Sequence, residues 1–213
     1  MAAYPAHERK PAVRSNRYAL PLTDYRLVLQ PHPDLYGQLL QLKQDFAQQY
    51  QCPDAVADEP TIPLMRFQQF AMSEAALQKK LQDLLCHQAP FLVQLHGFGS
   101  LPTHTVFVQV ATKNGIQQLL QQLQPLQSML RLSQFNKAHY MADPYLTLAR
   151  QLQPWQYEKG WRQYRHTPFS GSFVASEALL LKRPPQATQF SLLTRFAFAA
   201  QPVAAPPVQT LLF

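Results

Sequence analysis

Hydrophobic and polar residues alternate in several short runs of this chain, and in other stretches hydrophobic residues recur every three or four positions. The first alternating run, DYRLVLQP at residues 24–31, predicts a strand that ends at Pro31. A helix capped by Asp34 is predicted to follow it. The apolar stripe of this helix consists of Leu35, Leu39, Leu42, Phe46 and Tyr50.

In the middle of the chain, alternating runs typical of strands are again followed by a stretch with the three- or four-residue spacing typical of helices. TIPLMRFQQF, residues 61–70, predicts a strand in which Pro63 removes one ladder hydrogen bond and so favours a sheet edge or a bulge. Ser73 is a suitable N-cap for a second helix. Two further alternating runs, residues 90–102 and 103–112, are separated by Gly, Ser and Pro, and predict an antiparallel pair.

The last part of the chain adds two helices and three strands to this prediction. A helix opens at Asn114 and is divided by Pro125, and a strand follows in YLTLAR, residues 145–150. Another helix begins at Pro154 and is weakened by Gly160. The runs at 171–184 and 188–199 each predict one strand, and Lys182 and Arg183 are typical of a solvated strand end.

One short element occurs twice, as PTIPLMR at 60–66 and as PYLTLAR at 144–150. When the two copies are aligned, Thr61 matches Tyr145, and Arg66 matches Arg150. A duplicated element inside an alternation of strands and helices predicts an α+β or α/β sandwich with two similar halves that face each other. Each copy would then place one strand at the floor of a shared cleft.

Composition favours certain classes of binding partner and a particular cellular compartment. A net charge of +7 and an isoelectric point near 9.5 favour anionic partners such as nucleic acid, nucleotides or phosphorylated metabolites. Cys52 and Cys86 are too few for a disulfide framework and lack metal-ligand neighbours, which suits a reducing cytoplasm. We expect neither a metal nor a cofactor. No run approaches the roughly 20 apolar residues that span a bilayer, so we expect no membrane partner.

The two copies resemble the paired Pro-His-x-Thr-Leu motifs of the two-histidine phosphoesterases, also called the 2′-5′ RNA ligase-like superfamily. The flanking segments YRLVLQP, PFLVQLHGFGSLPTHTVFVQV and FVASEALLLKRPPQATQFSLLTRFAF are similar to the opening strand, central hairpin and closing strands of that family. The resemblance implies an α+β fold of two pseudo-symmetric β-α-β lobes, or duplicated ferredoxin-like halves. Antiparallel sheets would surround a central cleft, with helices on the outside. It covers residues 18–200, which leaves a basic arm at 1–17 and an Ala/Pro-rich tail at 201–213.

The family makes or cleaves 2′ phosphodiester linkages in RNA without requiring a metal, using one motif histidine as base and the other as acid. In this chain Thr61 and Pro63 occupy the first motif and Tyr145 and Thr147 the second, so neither histidine is in place. Threonine exchanges no proton near neutral pH, and tyrosine has an ordinary pKa near 10. We therefore expect a catalytically impaired member that binds a nucleotide or an RNA terminal phosphate. The expected phosphate ligands are Arg66, Tyr145, Thr147 and Arg150.

Other interpretations of the same residues are open from the sequence alone. In one, Arg66 and Arg150 are ordinary strand ends that meet solvent or a carboxylate, and Tyr145 is an ordinary rim aromatic. An active phosphodiesterase is a second alternative, with His104 or His139 as displaced proton carriers. A third is a protein-interaction or scaffold role on the same fold, with an unknown partner.

Overall fold

The strands predicted from alternation assemble into two antiparallel sheets in the computed structural model, which describes residues 21–53, 57–133 and 136–199. The strands are β1 (Leu22–Leu29), β2 (Ile62–Phe70), β3 (Phe91–Leu101), β4 (Thr105–Val110), β5 (His139–Tyr140), β6 (Tyr145–Ala149), β7 (Ser170–Ala175), β8 (Glu177–Arg183) and β9 (Ser191–Ala197). The first sheet has the order β5-β2-β1-β8-β9, and the second has the order β6-β4-β3-β7. The predicted arm at 1–17 and tail at 201–213 lie outside the described residues.

The helices pack their apolar stripes against these sheets. They are α1 (Pro33–Gln49), α2 (Glu74–Leu85), α3 (Asn114–Gln122), α4 (Leu126–Leu130) and α5 (Pro154–Tyr164). Helix α1 contacts β6 and β7, α2 contacts β9, and α5 contacts β4. Both sheets contribute to one core, so the α+β prediction with two sheets and peripheral helices is confirmed.

Two local predictions need correction, and Gly160 has a packing role that the sequence did not indicate. His32, rather than Asp34, caps α1, because its Nδ1 accepts a hydrogen bond from the Leu35 amide at 3.4 Å. Ser73 occupies the N-cap position of α2, but its side chain makes no capping hydrogen bond there. Gly160 lets α5 approach α1 closely, since a Cβ at this position would lie 2.8 Å from Cζ of Phe46.

The run at 171–184 is two strands instead of one. The chain leaves the second sheet at the end of β7 and enters the first sheet at Glu177, with Ser176 between them. Only Ser176 separates the two strands, and no Gly or Pro interrupts the run at that point, so the sequence gives no clear sign of the crossover. Lys182 and Arg183 are also not simply solvated, since Lys182 pairs with Glu74 and Arg183 with Asp24.

Candidate anion-binding site between the two sheets

The two copies of the repeated element have the same backbone irregularity. In β2, Met65 pairs with Leu27 and Pro63 with Val28, so Leu64 is an extra residue that has no partner in β1. In β6, Ala149 pairs with Val106 and Thr147 with Phe107, which leaves Leu148 as the extra residue. Leu64 and Leu148 occupy the same position of the repeat. The prediction that Pro63 marks an edge or a bulge is thus confirmed.

These bulges decide which side chains face the cleft. In a regular strand, residues three apart point to opposite faces of the sheet. An extra residue shifts that alternation by one, so that positions three apart share a face. As a result Pro63 and Arg66 point to one side of β2, and Thr147 and Arg150 point to one side of β6.

Strands β2 and β6 contact each other across the sheets, and their bulged faces border a cavity of about 200 Å³, here called the cleft cavity. It is lined by Arg26, Asp58, Pro63, Arg66, Leu101, His104, Thr105, Met141, Tyr145, Thr147 and Arg150. Five of the residues singled out from the repeat are therefore brought together. Thr61 does not line the cavity, because it precedes β2 and its amide is bonded to the Glu59 carbonyl at 2.9 Å.

A carboxylate already sits between arginines from the two sheets. Arg26, on β1, contacts Oδ1 of Asp58 at 3.0 Å, and Arg150, at the end of β6, contacts Oδ2 at 2.6 Å. Each carboxylate oxygen thus binds one guanidinium group. Of the alternatives considered for Arg150, contact with a carboxylate is the one that the structure shows. Arg66 has no ion-pair partner within residues 21–53, 57–133 and 136–199.

A buried lysine supports the bulge of β6 from behind. Lys43 of α1 is 1% exposed, and its Nζ donates hydrogen bonds to the carbonyl oxygens of Thr147 and Leu148, each at 3.1 Å. Burial lowers the pKa of Lys43 to about 8, against the attraction of Asp58, which raises it. The bulge carbonyls are thereby satisfied, and a positive group lies directly beneath the strand that carries Thr147.

Aromatic and imidazole groups complete the wall. The ring of Tyr145 stacks on Phe107 with centroids 4.4 Å apart, which holds its side chain against β4 and leaves it half-buried at the cavity. The Nδ1 atom of His104 lies 2.6 Å from Oγ1 of Thr105, and this hydrogen bond orients the imidazole ring. His139 does not line this cavity, although it pairs with Arg66 in the neighbouring strand β5.

Sequence reasoning missed three residues of the site. Arg26 lies in the alternating first run, but only the register of β1 and β2 places it opposite Arg66. Asp58 belongs to a loop, and the sole signal for it is an acidic segment just before the first copy of the repeat. The sequence signal for Lys43 is clearer. It falls four positions after Leu39, so a charged residue lies on the apolar stripe of α1.

The described residues include neither a metal site nor a membrane-spanning helix. They contain no group of three or more His, Cys, Asp or Glu side chains positioned to hold a metal ion. None of the helices described is long and apolar enough to cross a membrane.

Comparison with known proteins identifies the family. A model of the 2′-5′ RNA ligase superfamily matches residues 31–186, which is well over half of the chain and includes both copies of the repeat. The chain belongs to this superfamily. The resemblance drawn from the two motifs is thus confirmed. No significant match is found among curated proteins.

Solved structures of similar fold agree with this membership. E. coli LigT complexed with 3′-AMP has a TM-score of 0.57 at 17% identity, over 84% of this chain and 98% of that one. E. coli LigT complexed with NADP+ has a TM-score of 0.56 at 16% identity, over 84% and 99%. TT0787 of Thermus thermophilus has a TM-score of 0.57 at 12% identity, also over 84% and 99%. At these identities the likeness shows a shared fold.

Proposed function

We propose that this protein binds the phosphate of a nucleotide or an RNA terminus in the cleft cavity, and that it turns over such ligands slowly or not at all. The observation that carries this proposal is the meeting of Arg66 and Arg150 in one cavity. They come from the same position of the repeated element on the two sheets. A cytoplasmic location belongs to the same proposal, supported by a sequence with only two cysteines, too few for a disulfide framework.

Asp58 supports anion binding because its carboxylate occupies the position that we assign to a phosphate. Carboxylate and phosphate oxygens accept the same N–H donors, and guanidinium groups bind both through two parallel hydrogen bonds. Arg26 and Arg150 hold Asp58 from opposite sides at 3.0 and 2.6 Å. A phosphate that enters the cavity would replace this carboxylate and gain Arg66, which has no ion-pair partner in the described part of the chain.

The remaining walls suit the rest of a nucleotide. Thr147 offers a hydroxyl, and Tyr145 a phenol that can donate a hydrogen bond. The structures of E. coli LigT with 3′-AMP, ATP and NADP+ supply the ligand class, because all three are nucleotides. An open cavity at this place also favours ligand binding over a purely scaffolding use of the fold.

Weak catalysis follows from the residues at the motif positions. An acid/base partner contributes roughly 10²- to 10⁴-fold to a rate, and the motif offers Thr61 and Tyr145 where two imidazoles are expected. Thr61 is also outside the cleft cavity. Loss of both proton carriers would bring hydrolysis of a cyclic phosphate close to its uncatalysed rate.

Calorimetric titration of 3′-AMP and adenosine 2′,3′-cyclic phosphate tests the proposal. Replacing both arginines, Arg66→Ala/Arg150→Ala, should weaken binding at least roughly 100-fold, because each removes a charge-assisted hydrogen bond. The matched control, Arg131→Ala/Arg162→Ala, removes two exposed arginines outside the cleft cavity and should bind like the wild type. Equal affinity in the two double variants would reject the proposal.

A second candidate function, an active phosphodiesterase, has one observation in its favour. His104 lines the same cavity as Thr147 and Arg150, and the contact with Thr105 fixes its ring. Product analysis of the cyclic phosphate by chromatography separates the two candidates. Our proposal expects at most slow product formation, and a rate that His104→Gln leaves unchanged. Turnover by the wild type that His104→Gln abolishes without changing affinity would establish the second candidate instead.

A further inference from the structure

The cleft cavity is small for a whole nucleotide. Sites for small ligands usually enclose roughly 300–1,000 Å³, whereas this cavity has about 200 Å³. A phosphate and part of its sugar fill such a space, so the remainder of the ligand must lie outside it. The direction in which the ligand continues then depends on which surface borders the cavity.

A second cavity of about 370 Å³, here called the outer groove, adjoins the first, because Arg26 and Arg66 line both. Its other walls include Lys137, His139, Arg183 and Phe190. The outer groove lies over the first sheet, on the face to which Arg26 and Arg66 point. It thus lies beside the cleft cavity, over β1, β2 and β5.

Strand register places basic side chains side by side along this groove. Arg26 is paired with Arg66, and Arg66 is paired with His139, so these three residues form one row across three adjacent strands. Directly paired residues have Cβ atoms about 4.5–5.5 Å apart, and like charges in such positions destabilise a sheet. Asp58 compensates Arg26, but no described residue forms an ion pair with Arg66. An unbalanced row of this kind favours an anion that is supplied from outside.

Other contacts hold the groove in shape before any ligand arrives. The guanidinium carbons of Arg26 and Arg183 lie 4.1 and 4.8 Å from the centroid of the Phe190 ring, and Asp24 binds Arg183 at 2.7 Å. Burial opposes ionisation of Asp24, but hydrogen bonds from Arg183 and Gln68 outweigh it, so the pKa of Asp24 is lowered. Among the described residues, the two cavities together present five Lys or Arg side chains and only two carboxylates.

We propose that the outer groove is a second phosphate-binding site, centred on Arg66, Lys137 and His139, and that the ligand of this protein therefore carries at least two phosphate groups. This inference rests on the proposed function, because it takes the first phosphate to lie in the cleft cavity. Two ligand types have the required chemistry: an oligonucleotide, whose phosphates are separated by a nucleoside, and a nucleoside polyphosphate, whose phosphates are contiguous.

The test compares ligands that have one or more phosphates. The probes are 3′-AMP, the dinucleotide ApAp with a 3′-terminal phosphate, and ATP, each titrated against the wild type by calorimetry. A second phosphate that gains a charge-assisted hydrogen bond should increase affinity roughly 10- to 100-fold over 3′-AMP. A larger gain for ApAp identifies an oligonucleotide as the ligand, and a larger gain for ATP identifies a polyphosphate.

The variant Lys137→Ala/His139→Gln tests whether the gain in affinity from a second phosphate arises in the outer groove. Both side chains are exposed, neither lines the cleft cavity, and the folded state should be unaffected. It should remove the advantage of the second phosphate and reduce the salt dependence of binding, while 3′-AMP affinity stays the same. The control Lys79→Ala/His87→Gln replaces an exposed lysine and an exposed histidine away from both cavities, and should change nothing.

The outcomes separate this inference from the proposed function. If 3′-AMP binds in an arginine-dependent way but neither ApAp nor ATP binds more tightly, the second site is wrong and the first stands. The same conclusion follows if Lys137→Ala/His139→Gln keeps the full advantage of the second phosphate. If none of the three probes binds, the proposed function itself fails.

Discussion

The bulge of β2 and the bulge of β6 have the same position in the repeat but different support. In β2, the carbonyl of Leu64 accepts a hydrogen bond from the amide of Met141 at 2.9 Å, so a neutral backbone group completes the bulge. In β6, the carbonyls of Thr147 and Leu148 both bind the ammonium group of Lys43. The bulge of β2 is therefore completed by a backbone hydrogen bond, whereas the bulge of β6 depends on a titratable lysine beneath the cleft cavity.

The two arginines that follow these bulges also differ, in this case in their ion-pair partners. Arg150 is engaged by Asp58 at 2.6 Å, and Arg66 has no ion-pair partner in the described residues. The repeated element thus places one arginine on each side of the cavity, and of the two only Arg150 is paired with a described carboxylate. In our account Arg150, Thr147 and Arg66 hold the phosphate, and Arg66 also borders the outer groove.

The largest expected difference is between single arginine variants. Arg150→Ala should weaken 3′-AMP binding roughly 100-fold, because it removes a ligand contact and also leaves Asp58 with one guanidinium fewer to neutralise it. Arg66→Ala removes a contact but uncovers no carboxylate, so the expected loss is about 10-fold. Calorimetry of both variants measures the ratio. A greater loss for Arg66→Ala would reverse the assignment of the two sides.

Lys43→Met tests the support beneath β6. Between about pH 8 and 10.5 the unfolded chain keeps the Lys43 proton and the folded chain has released it, so stability rises with pH in that range. From about pH 7.5 to 9.5, the wild type should gain ~2 kcal/mol in free energy of unfolding relative to Lys43→Met. Urea denaturation at the two pH values measures this. The exposed control Lys79→Met should show no such difference from the wild type, and an equal pH response in wild type and Lys43→Met would disprove a buried amine with a lowered pKa.

A smaller effect is expected from the hydroxyl of β6. Thr147→Val keeps the shape of the side chain and the bulge but removes its donor, and a hydrogen bond to a charged phosphate oxygen contributes about 1.5 kcal/mol at the low end of its range. The affinity for 3′-AMP should fall roughly tenfold. Thr112→Val is the matched control, since Thr112 lies outside both cavities and its hydroxyl accepts the Gln94 amide. An unchanged affinity in Thr147→Val would remove Thr147 from the phosphate contacts.

The smallest predicted change is an increase in affinity for 3′-AMP. Asp58→Asn removes the internal carboxylate that competes with the phosphate, and partly exposed ion pairs contribute only about 0.2–1 kcal/mol each. Binding of 3′-AMP should therefore strengthen about two- to fivefold. Weaker binding in Asp58→Asn would mean that Asp58 organises the arginines for the ligand instead of competing with it.

The sequence predicted the strands and helices that have a sustained period, and it identified the repeated element that brings five residues into one cavity. It missed β5, because two residues are too short to show a period. It could not place Arg26 opposite Arg66 or Asp58 between two arginines, because register and loop closure are tertiary properties. Pro63 signalled the irregularity in β2, but no proline or glycine accompanies Leu148, so the sequence did not mark the bulge in β6.

The structure of the wild-type protein in complex with 3′-AMP tests the central claim most directly. We predict that the phosphate lies between the two sheets, within hydrogen-bond distance of Arg150 and of the Thr147 hydroxyl, with the Asp58 carboxylate displaced from Arg150. A phosphate bound elsewhere, with Arg26 and Arg150 still paired to Asp58, would contradict the account.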